Sequence, residues 1–186
     1  MNETLRIISR RRSTKNFLPD LPDEAAVRAV VEAGRSAPSA MGRQARLFVV
    51  VQNRHLLEEL NVAVKEVAAD REEEFYRRIG NLKDYNVFYG APVLVIVAGD
   101  RHKPMIEADC AAANQNMLIA AESLDLGACW INFTLFAFYG PRAEEIRRKL
   151  SIPSDYNIYC SVAVGRKAID RLEKKTVSGN EVRFFE

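Results

Sequence analysis

Small and apolar residues fill most helical faces of the stretch from Glu107 to Ile131. At 3.6 residues per turn, one stripe is wholly apolar and only a narrow seam is polar. The apolar stripe contains Cys110, Ala113, Met117, Ala120 and Leu124, and the seam contains Asp109, Asn116 and Ser123. Such a helix is predicted to lie in a core or an interface, where its alanines allow another backbone to approach closely. Gly127 is predicted to end it in the left-handed conformation, and Ala128 to Ile131 to enter a buried strand or line a pocket.

Four further segments show the helical spacing of apolar residues. They are Glu3 to Arg10, Glu24 to Ser36, Arg54 to about Ala69, and Pro141 to Leu150. The first is expected to carry Leu5 and Ile8 inward, and Asp23 is a suitable N-cap for the second. The charged segment from Asp70 to Lys83 has the weakest pattern, which is compatible with a mobile flap or a solvated helix.

Three apolar runs predict buried strands. They are Leu47 to Val51, Pro92 to Ala98, which is continuous enough to be central, and Ile158 to Val164, which Gly165 ends. Because too few strand–helix–strand units are present for a doubly wound sheet, we expect one α+β domain over residues 1–186. The chain ends in Val182, Phe184 and Phe185, and such an apolar tail is expected to dock on this subunit or on a partner.

The composition of the 186-residue chain is typical of a soluble globular protein with a substantial core. Its longest apolar run, Ala91 to Gly99, is far shorter than a membrane span, and the N-terminus lacks the order of a signal peptide. A cytoplasmic protein that does not enter the membrane is therefore expected. Cys110, Cys129 and Cys160 are widely separated and odd in number, which fits free thiols in the core.

Several kinds of site are disfavoured by the sequence. It contains neither a G-x-G-x-x-G fingerprint nor a P-loop. His55 and His102 have cationic neighbours and are expected in exposed loops, which argues against a metal site and against a histidine base. The net charge is only +2, and no aromatic residues interrupt the N-terminal arginine run, which disfavours a nucleic-acid-binding domain.

Positive charge is nevertheless concentrated near the two ends of the chain. One cluster contains Arg10, Arg11, Arg12 and Lys15, and the other contains Arg166, Lys167, Arg171, Lys174 and Lys175. Guanidinium, ammonium and hydroxyl groups at this spacing suit a phosphate dianion, although each cluster alone also fits a solvated basic face. A single phosphate held between the two clusters would account for both in a nearly neutral chain.

Four segments in order carry a family resemblance. They are the RRSTKNF segment at 11–17, APSAMGRQ at 37–44, LGACWI at 126–131, and the pair Ile152-Pro153 followed by Val164-Gly165. Together they resemble the nitroreductase family of FMN-dependent oxidoreductases over nearly the whole chain. The resemblance implies an α+β fold with a central, mostly antiparallel sheet flanked by helices. It also implies an intertwined homodimer with two FMN molecules at the subunit interface.

The resemblance further implies FMN-binding residues from several parts of both subunits. The phosphate, ribityl chain and ring edge would contact Arg11, Arg12, Ser13 and Lys15. The other subunit would cover the ribityl and isoalloxazine with Pro38, Ser39, Ala40, Gly42 and Gln44. Backbone beside the ring would come from Cys129, Trp130 and Ile131, and the phosphate would also meet Gly165 and Arg166 with Lys174 or Lys175. Trp130 also suits a core position and Ser39 a simple turn.

The activity implied by the resemblance is electron transfer from NADH or NADPH through FMN to a nitroaromatic, a quinone or a related small acceptor, by a ping-pong mechanism. No side chain is implied as an obligatory acid or base, and no metal is implied. Lys15 is the candidate cation that tunes the flavin near N1 and O2. A non-catalytic flavin reservoir and an oxygen-dependent flavin-degrading enzyme remain as alternatives.

Two positions depart from the pattern of many relatives. Gly42 stands where they have Asn, which removes a possible hydrogen bond to the flavin, and Ala45-Arg46 stands where they have Pro-Trp or Pro-His. Relatives build substrate lids in the region that corresponds to residues 66–90. Residues 171–186 are expected to form a C-terminal arm.

Overall fold

The computed structural model of the protein describes residues 1–169, Gly179 and residues 181–185. The helices are α1 Glu3–Arg10, α2 Glu24–Arg35, α3 Arg54–Ala69, α4 Glu74–Asn81, α5 Ile106–Ser123 and α6 Ala143–Lys149, with 3-10 helices at Ala40–Gly42 and Phe133–Phe138. The strands are β1 Arg46–Val51, β2 Val93–Asp100, β3 Leu126–Trp130 and β4 Tyr156–Arg166. Of the helices in these ranges, none has the length and apolar character that a membrane crossing needs.

The four strands form one antiparallel sheet in the order β1-β2-β4-β3, which confirms the α+β prediction. The side chains of β2 alternate between two cores, as the period of a strand requires. On one side Leu94, Ile96 and Ala98 pack with residues of α3 and α6. On the other side Val93, Val95 and Val97 pack with residues of α2 and α5. The sheet is therefore covered by helices on both faces, and β2 is central as predicted.

The edge position of β1 corrects one prediction. The run from Leu47 to Val51 was expected to be buried, but in the protomer only Val51 is fully buried and Val50 is exposed. The cause is topological, because β1 pairs with β2 alone and forms one border of the sheet. An apolar sequence at such a border is typical of a surface that another segment or subunit covers.

The first two helices follow their capping signals. Asp23 caps α2 by accepting the backbone N–H of Ala25, as predicted, and Asn2, which was not predicted as a cap, accepts that of Leu5 at the start of α1. The inward face of α1 was predicted incorrectly, because Leu5 and Ile8 are 52% and 47% exposed whereas Ile7 is buried. The short helix rests on α5 along the narrow strip that contains Ile7, so its other apolar side chains face outward.

The charged segment after α3 contains a solvated helix, one of the two alternatives that the sequence left open. Most residues of α4 are exposed, and Ile79 is its buried contact. Gly80 allows α4 to approach α3, because a Cβ there would lie 2.3 Å from the backbone nitrogen of Ala69. The helix is thus attached to the domain along one side only.

Two smaller boundaries also differ from the predictions. β4 continues through Gly165 to Arg166, because both residues pair with β3. α6 begins at Ala143, after Pro141, and it buries Ile146 as predicted.

All three cysteines are free and buried, also as predicted. In the tail, Val182, Phe184 and Phe185 are exposed on this subunit, so docking on a partner stays a prediction, and residues 171–178 lie outside the described part.

Asp125, and not Gly127, is the left-handed residue that follows α5. Asp125 has a φ of 56°, which aspartate tolerates better than most residues, and α5 ends at Ser123. Gly127 instead lies within β3, where its missing side chain admits Thr14. A Cβ at Gly127 would lie 2.7 Å from both Cγ2 and Oγ1 of Thr14. The glycine is therefore needed for close approach and not for a turn.

Replacing Gly127 by alanine is expected to lower the free energy of unfolding by about 1–3 kcal/mol, because Thr14 must move away from β3. Urea denaturation of the wild-type and variant proteins measures the change. Adding Thr14→Ala removes the two nearest atoms and should recover part of the loss, since the Thr14 Cβ would still lie at 2.9 Å. Equal stability of Gly127→Ala and wild type would contradict the tight contact.

Candidate functional site

The N-terminal basic segment runs along the outer edge of β3. The backbone N–H of Thr14 donates to the carbonyl of Ala128 at 2.9 Å, and Ser13 forms a parallel bridge with Ala128. Further along, Phe17 forms an antiparallel bridge with Lys167. The sheet therefore brings Arg166 and Lys167, the described members of the second basic cluster, next to the first cluster, as predicted for these two residues.

A buried carboxylate lies between the two clusters. Glu122 on α5 accepts a hydrogen bond from Arg10 Nε at 2.7 Å and from Lys167 Nζ at 3.1 Å, and its side chain is only 5% exposed. Arg10 also pairs with Asp125 at 2.8 Å. Arg10 and Lys167 are thus largely neutralised inside the protein. This role of Glu122 was not predicted, because the polar seam predicted for α5 contains Asp109, Asn116 and Ser123 and not Glu122.

Arg11 and Lys15 are not neutralised in this way. Within the described residues, neither cation has a carboxylate within 4.0 Å, and the same holds for the exposed Arg166. Arg12 is partly turned back, since its guanidinium donates at 2.8 Å to the carbonyls of Ser9 and Arg11 at the end of α1. Three cations therefore offer charge at this edge of the sheet without a carboxylate close to them among the residues that the structure describes.

Cys129 lies next to these groups. Burial raises the pKa of its thiol, while the charge of Lys15, a hydrogen bond with Ser13 and the charge of Arg11 act in the opposite direction. Through its hydrogen bond with Ser13, the Cys129 side chain on β3 contacts the basic segment. The structure thereby assembles Arg11, Ser13, Lys15 and Cys129 in one place.

Trp130, the last residue of β3, and Ile131 after it form an apolar surface that is partly open to solvent. Trp130 is 36% exposed, and its indole N–H donates to Asn132 Oδ1 at 2.6 Å. Ile131 is buried. Because Trp130 reaches the surface, it is not enclosed in the core. A partly exposed indole plane suits one face of a flat ligand.

Gly165 occupies a more enclosed position than the phosphate assignment suggests. A Cβ there would lie 2.7 Å from Pro92 Cδ and 2.9 Å from Phe17 Cδ1, so the residue packs between the two rings. Arg166, the next residue, is exposed. At this end of β4, Arg166 therefore offers the side chain, and Lys174 and Lys175 lie outside the described residues.

Two tyrosines join the cluster without having been predicted as site residues. The Lys15 ammonium lies 5.5 Å from the centroid of the Tyr89 ring, and the Tyr85 and Tyr89 rings meet edge to face at 6.3 Å. Burial, followed by a hydrogen bond with Tyr89, raises the pKa of Tyr85 to about 12. The available signal was the group of three aromatics directly before the central strand. The third of them, Phe88, is a core residue.

The second predicted segment forms a strained loop elsewhere in the protomer. Met41, Gly42 and Gln44 have φ values of 57°, 65° and 50°, all left-handed. Ser39 Oγ accepts the backbone N–H of Gln44 at 3.0 Å, and Asp109 Oδ1 accepts that of Ala40 at 2.9 Å. Side-chain acceptors thus fix a backbone shape that would otherwise be unfavourable.

Arg46 fastens this loop from β1. Its guanidinium donates to the carbonyl of Ala37 at 2.8 Å, to the carbonyl of Asp109 at 2.9 Å and to Gln44 Oε1. It also lies 3.3 Å from the Pro38 carbonyl. The departure from relatives at this position is therefore structural, because a planar five-donor group satisfies several carbonyls at once.

Replacing Arg46 by methionine is expected to speed amide hydrogen exchange at residues 39–44 and to lower the free energy of unfolding by about 1–2 kcal/mol. The reason is that several carbonyls lose their donor while the aliphatic stem is kept. Arg43→Met is the matched control, since Arg43 is exposed and its guanidinium contacts only the Met41 sulfur among the described residues. Equal exchange in both variants would contradict the fastening role.

The two assembled regions lie at opposite ends of α5. Asp109 meets the 37–44 loop near the start of the helix, whereas Glu122 meets the basic segment near its end. Thirteen residues separate them along the helix, which corresponds to about 20 Å. One protomer does not bring Pro38 to Gln44 into contact with the Arg11 and Cys129 region. A site that contains both sets of residues requires a second subunit.

Comparison with known proteins adds a direct line of evidence. The model described as the nitroreductase family matches residues 8–166. A nitroreductase from Bacteroides fragilis, solved with bound FMN, is 34% identical and superposes with a TM-score of 0.94, covering 100% of both chains. A nitroreductase with bound FMN from Desulfitobacterium hafniense is 32% identical with a TM-score of 0.88, again over 100% of both chains.

A curated relative is more distant in sequence. The protein named "Putative NADH dehydrogenase/NAD(P)H nitroreductase" from Methanothermobacter thermautotrophicus is 30% identical over 170 residues. The match covers 89% of this chain and 78% of that relative. The similarity therefore extends beyond the basic segment to nearly the whole domain.

Proposed function

Since the chain belongs to the nitroreductase family, we propose that it is an FMN-dependent oxidoreductase that acts as a homodimer. NADH or NADPH is the donor, and a nitroaromatic, a quinone or a related small molecule is the acceptor. The two substrates use the site in alternation, by a ping-pong mechanism. FMN, when bound, would supply the redox chemistry, namely hydride acceptance from the nicotinamide and electron donation to the acceptor.

The observation that carries this proposal is the uneven distribution of counter-charge around the basic residues. Glu122 neutralises Arg10 and Lys167, whereas Arg11, Lys15 and Arg166 have no carboxylate within 4.0 Å among the described residues. Cations that have no carboxylate nearby in the described part of the chain are available to an external anion. Guanidinium and ammonium groups together suit a phosphate dianion such as that of FMN.

The residues present fit both parts of an FMN molecule. Arg11, Ser13 and Arg166 would hold the phosphate and ribityl end, because they offer cationic and hydroxyl donors at one edge of the sheet. The backbone of Cys129, Trp130 and Ile131 would line the ring and exclude water from it. Lys15 would place its positive charge at the edge of the flavin ring, where negative charge increases when the flavin is reduced.

The partner subunit would complete the site through the 37–44 loop. Because the loop and the basic segment are separated by the length of α5, each subunit would donate its loop to the other subunit's flavin. Gly42 carries no side chain, and a Cβ built on it would have no neighbour within 4 Å. Ring contacts at Gly42 would therefore be made by the backbone alone.

Anaerobic spectrophotometry of the purified protein tests the function. The protein is expected to be yellow, to release FMN on denaturation, and to lose its flavin absorbance when NADH or NADPH is added. A nitrobenzoate or menadione should then restore the absorbance, and initial rates should give parallel double-reciprocal lines.

The alternatives give different results in the same experiment. A colourless protein that cannot be reconstituted with FMN would reject the proposal. Bound FMN that neither nicotinamide reduces would favour a flavin reservoir. Irreversible loss of flavin absorbance after reduction, seen only when air is admitted, would favour an oxygen-dependent flavin-degrading enzyme.

A further inference from the structure

The turn from Asn86 to Gly90 holds Tyr89 in an unfavourable conformation. Tyr89 has a φ of 57°, a left-handed value that a residue with a Cβ rarely adopts. Asn86 fixes the turn, because its side-chain oxygen accepts the backbone N–H of Phe88 at 2.8 Å and that of Gly90 at 3.3 Å. Its carbonyl accepts the N–H of Tyr89 at 2.9 Å. Strained residues held in this way cluster at functional sites.

The turn is also attached to the rest of the domain on both sides. Asn61 of α3 accepts the backbone N–H of Val87 at 2.9 Å, and the side chains of Val87 and Phe88 are fully buried. Ala91 leads directly into the central strand β2. The Tyr89 ring therefore stands on a rigid support, although the residue itself is only half-buried.

The support places an aromatic face beside Lys15. The Lys15 ammonium lies 5.5 Å from the centroid of the Tyr89 ring, within the range of a cation–π interaction. Tyr85 meets the same ring edge to face at 6.3 Å and limits its rotation. In the described part of the chain, no carboxylate lies within 4.0 Å of Lys15.

An aromatic partner differs from a carboxylate in one important respect. A carboxylate would fix the ammonium and cancel its charge, as Glu122 does for Lys167. The quadrupole of an aromatic ring attracts the ammonium but carries no net charge. The positive charge of Lys15 is thus kept for an external anion.

We propose that Tyr89 is a positioning residue, which orients the Lys15 ammonium at the FMN site while leaving its charge unneutralised. This inference rests on the function proposed above. It gives a reason for the left-handed conformation of Tyr89. Core packing does not give one, since Val87 and Phe88 are the residues of this turn that fill the core.

Binding and redox measurements on Tyr89 variants test the proposal. Tyr89→Leu is expected to weaken FMN binding by about 3- to 10-fold in a fluorescence-quenching titration. It should also shift the flavin midpoint potential to more negative values, since a less ordered ammonium stabilises the reduced flavin less. Tyr89→Phe keeps the aromatic face and should remain within about twofold of the wild type.

A double-mutant cycle separates positioning from packing. In a Lys15→Met background, Tyr89→Leu should have no further effect on FMN binding or on the potential. Tyr139→Leu, at an exposed tyrosine after the second 3-10 helix, is the matched control for loss of a ring. Circular dichroism and thermal unfolding of each variant verify the fold.

The possible outcomes distinguish this inference from the proposed function. An unchanged affinity and potential in Tyr89→Leu, or an equal loss with and without Lys15, would overturn the positioning role while FMN binding stands. Wild-type protein that takes up no FMN would overturn both. Two results together support the inference: Tyr89→Phe binds FMN like the wild type, and Tyr89→Leu has no further effect when Lys15 is already replaced by methionine.

Discussion

Alanine in place of Arg11 or Lys15 is expected to weaken FMN binding by about 10- to 100-fold in each case. Each replacement removes a cation that has no carboxylate within 4.0 Å in the described ranges of the chain. A hydrogen bond to a charged group contributes about 1.5–3 kcal/mol, and about 1.4 kcal/mol corresponds to a tenfold change in affinity. Because neither cation has a carboxylate within 4.0 Å among the described residues, their removal should cost little folding stability.

Titration of apoprotein with FMN measures the effect, and Arg28→Ala is the control. Arg28 is an exposed arginine on α2 that pairs with Glu24 at 2.5 Å, so it represents a basic residue with an internal partner. Arg11→Ala and Lys15→Ala should also make FMN binding less sensitive to salt, because fewer protein cations then interact with the anionic cofactor. Equal FMN affinity in all three variants would reject the phosphate assignment.

The fold was predictable wherever local signals agreed with each other. The bounds of α1 and α3 follow from their capping residues and apolar spacing, and β2 follows from a continuous apolar run. Spacing shows which residues share a face but not which neighbour that face meets. This is why Leu5 and Ile8 were assigned inward when Ile7 holds the contact, and why β1 was expected to be buried.

The candidate site was predictable to a lesser degree. The grouping of Arg11 with Cys129 came from the family resemblance, since the two residues are far apart in sequence. Glu122 was missed because its partners lie 112 and 45 positions away along the chain. The left-handed conformation of Tyr89 depends on side-chain acceptors from Asn86, and aromatic residues carry no sequence signal for it.

Replacing Glu122 by glutamine is expected to lower the free energy of unfolding by about 2–4 kcal/mol, because two cations lose a shared buried counter-charge. The lower end of the range allows for Arg10, whose side chain is 44% exposed and also pairs with Asp125. The loss of the counter-charge should cost more free energy at Lys167, since its side chain is only 16% exposed to water. For a domain of this size, the midpoint of thermal unfolding should fall by about 5–15 °C.

Thermal and urea unfolding at fixed protein and FMN concentrations measure this effect, since bound ligand and association both raise apparent stability. Glu32→Gln is the matched control, because Glu32 pairs with Arg35 on the exposed surface of α2. A surface pair of this kind contributes about 0–1 kcal/mol and is screened by salt. The Glu122 effect should therefore persist in high salt while any Glu32 effect disappears. If both variants unfold like the wild type, Glu122 does not join the two ends of the domain.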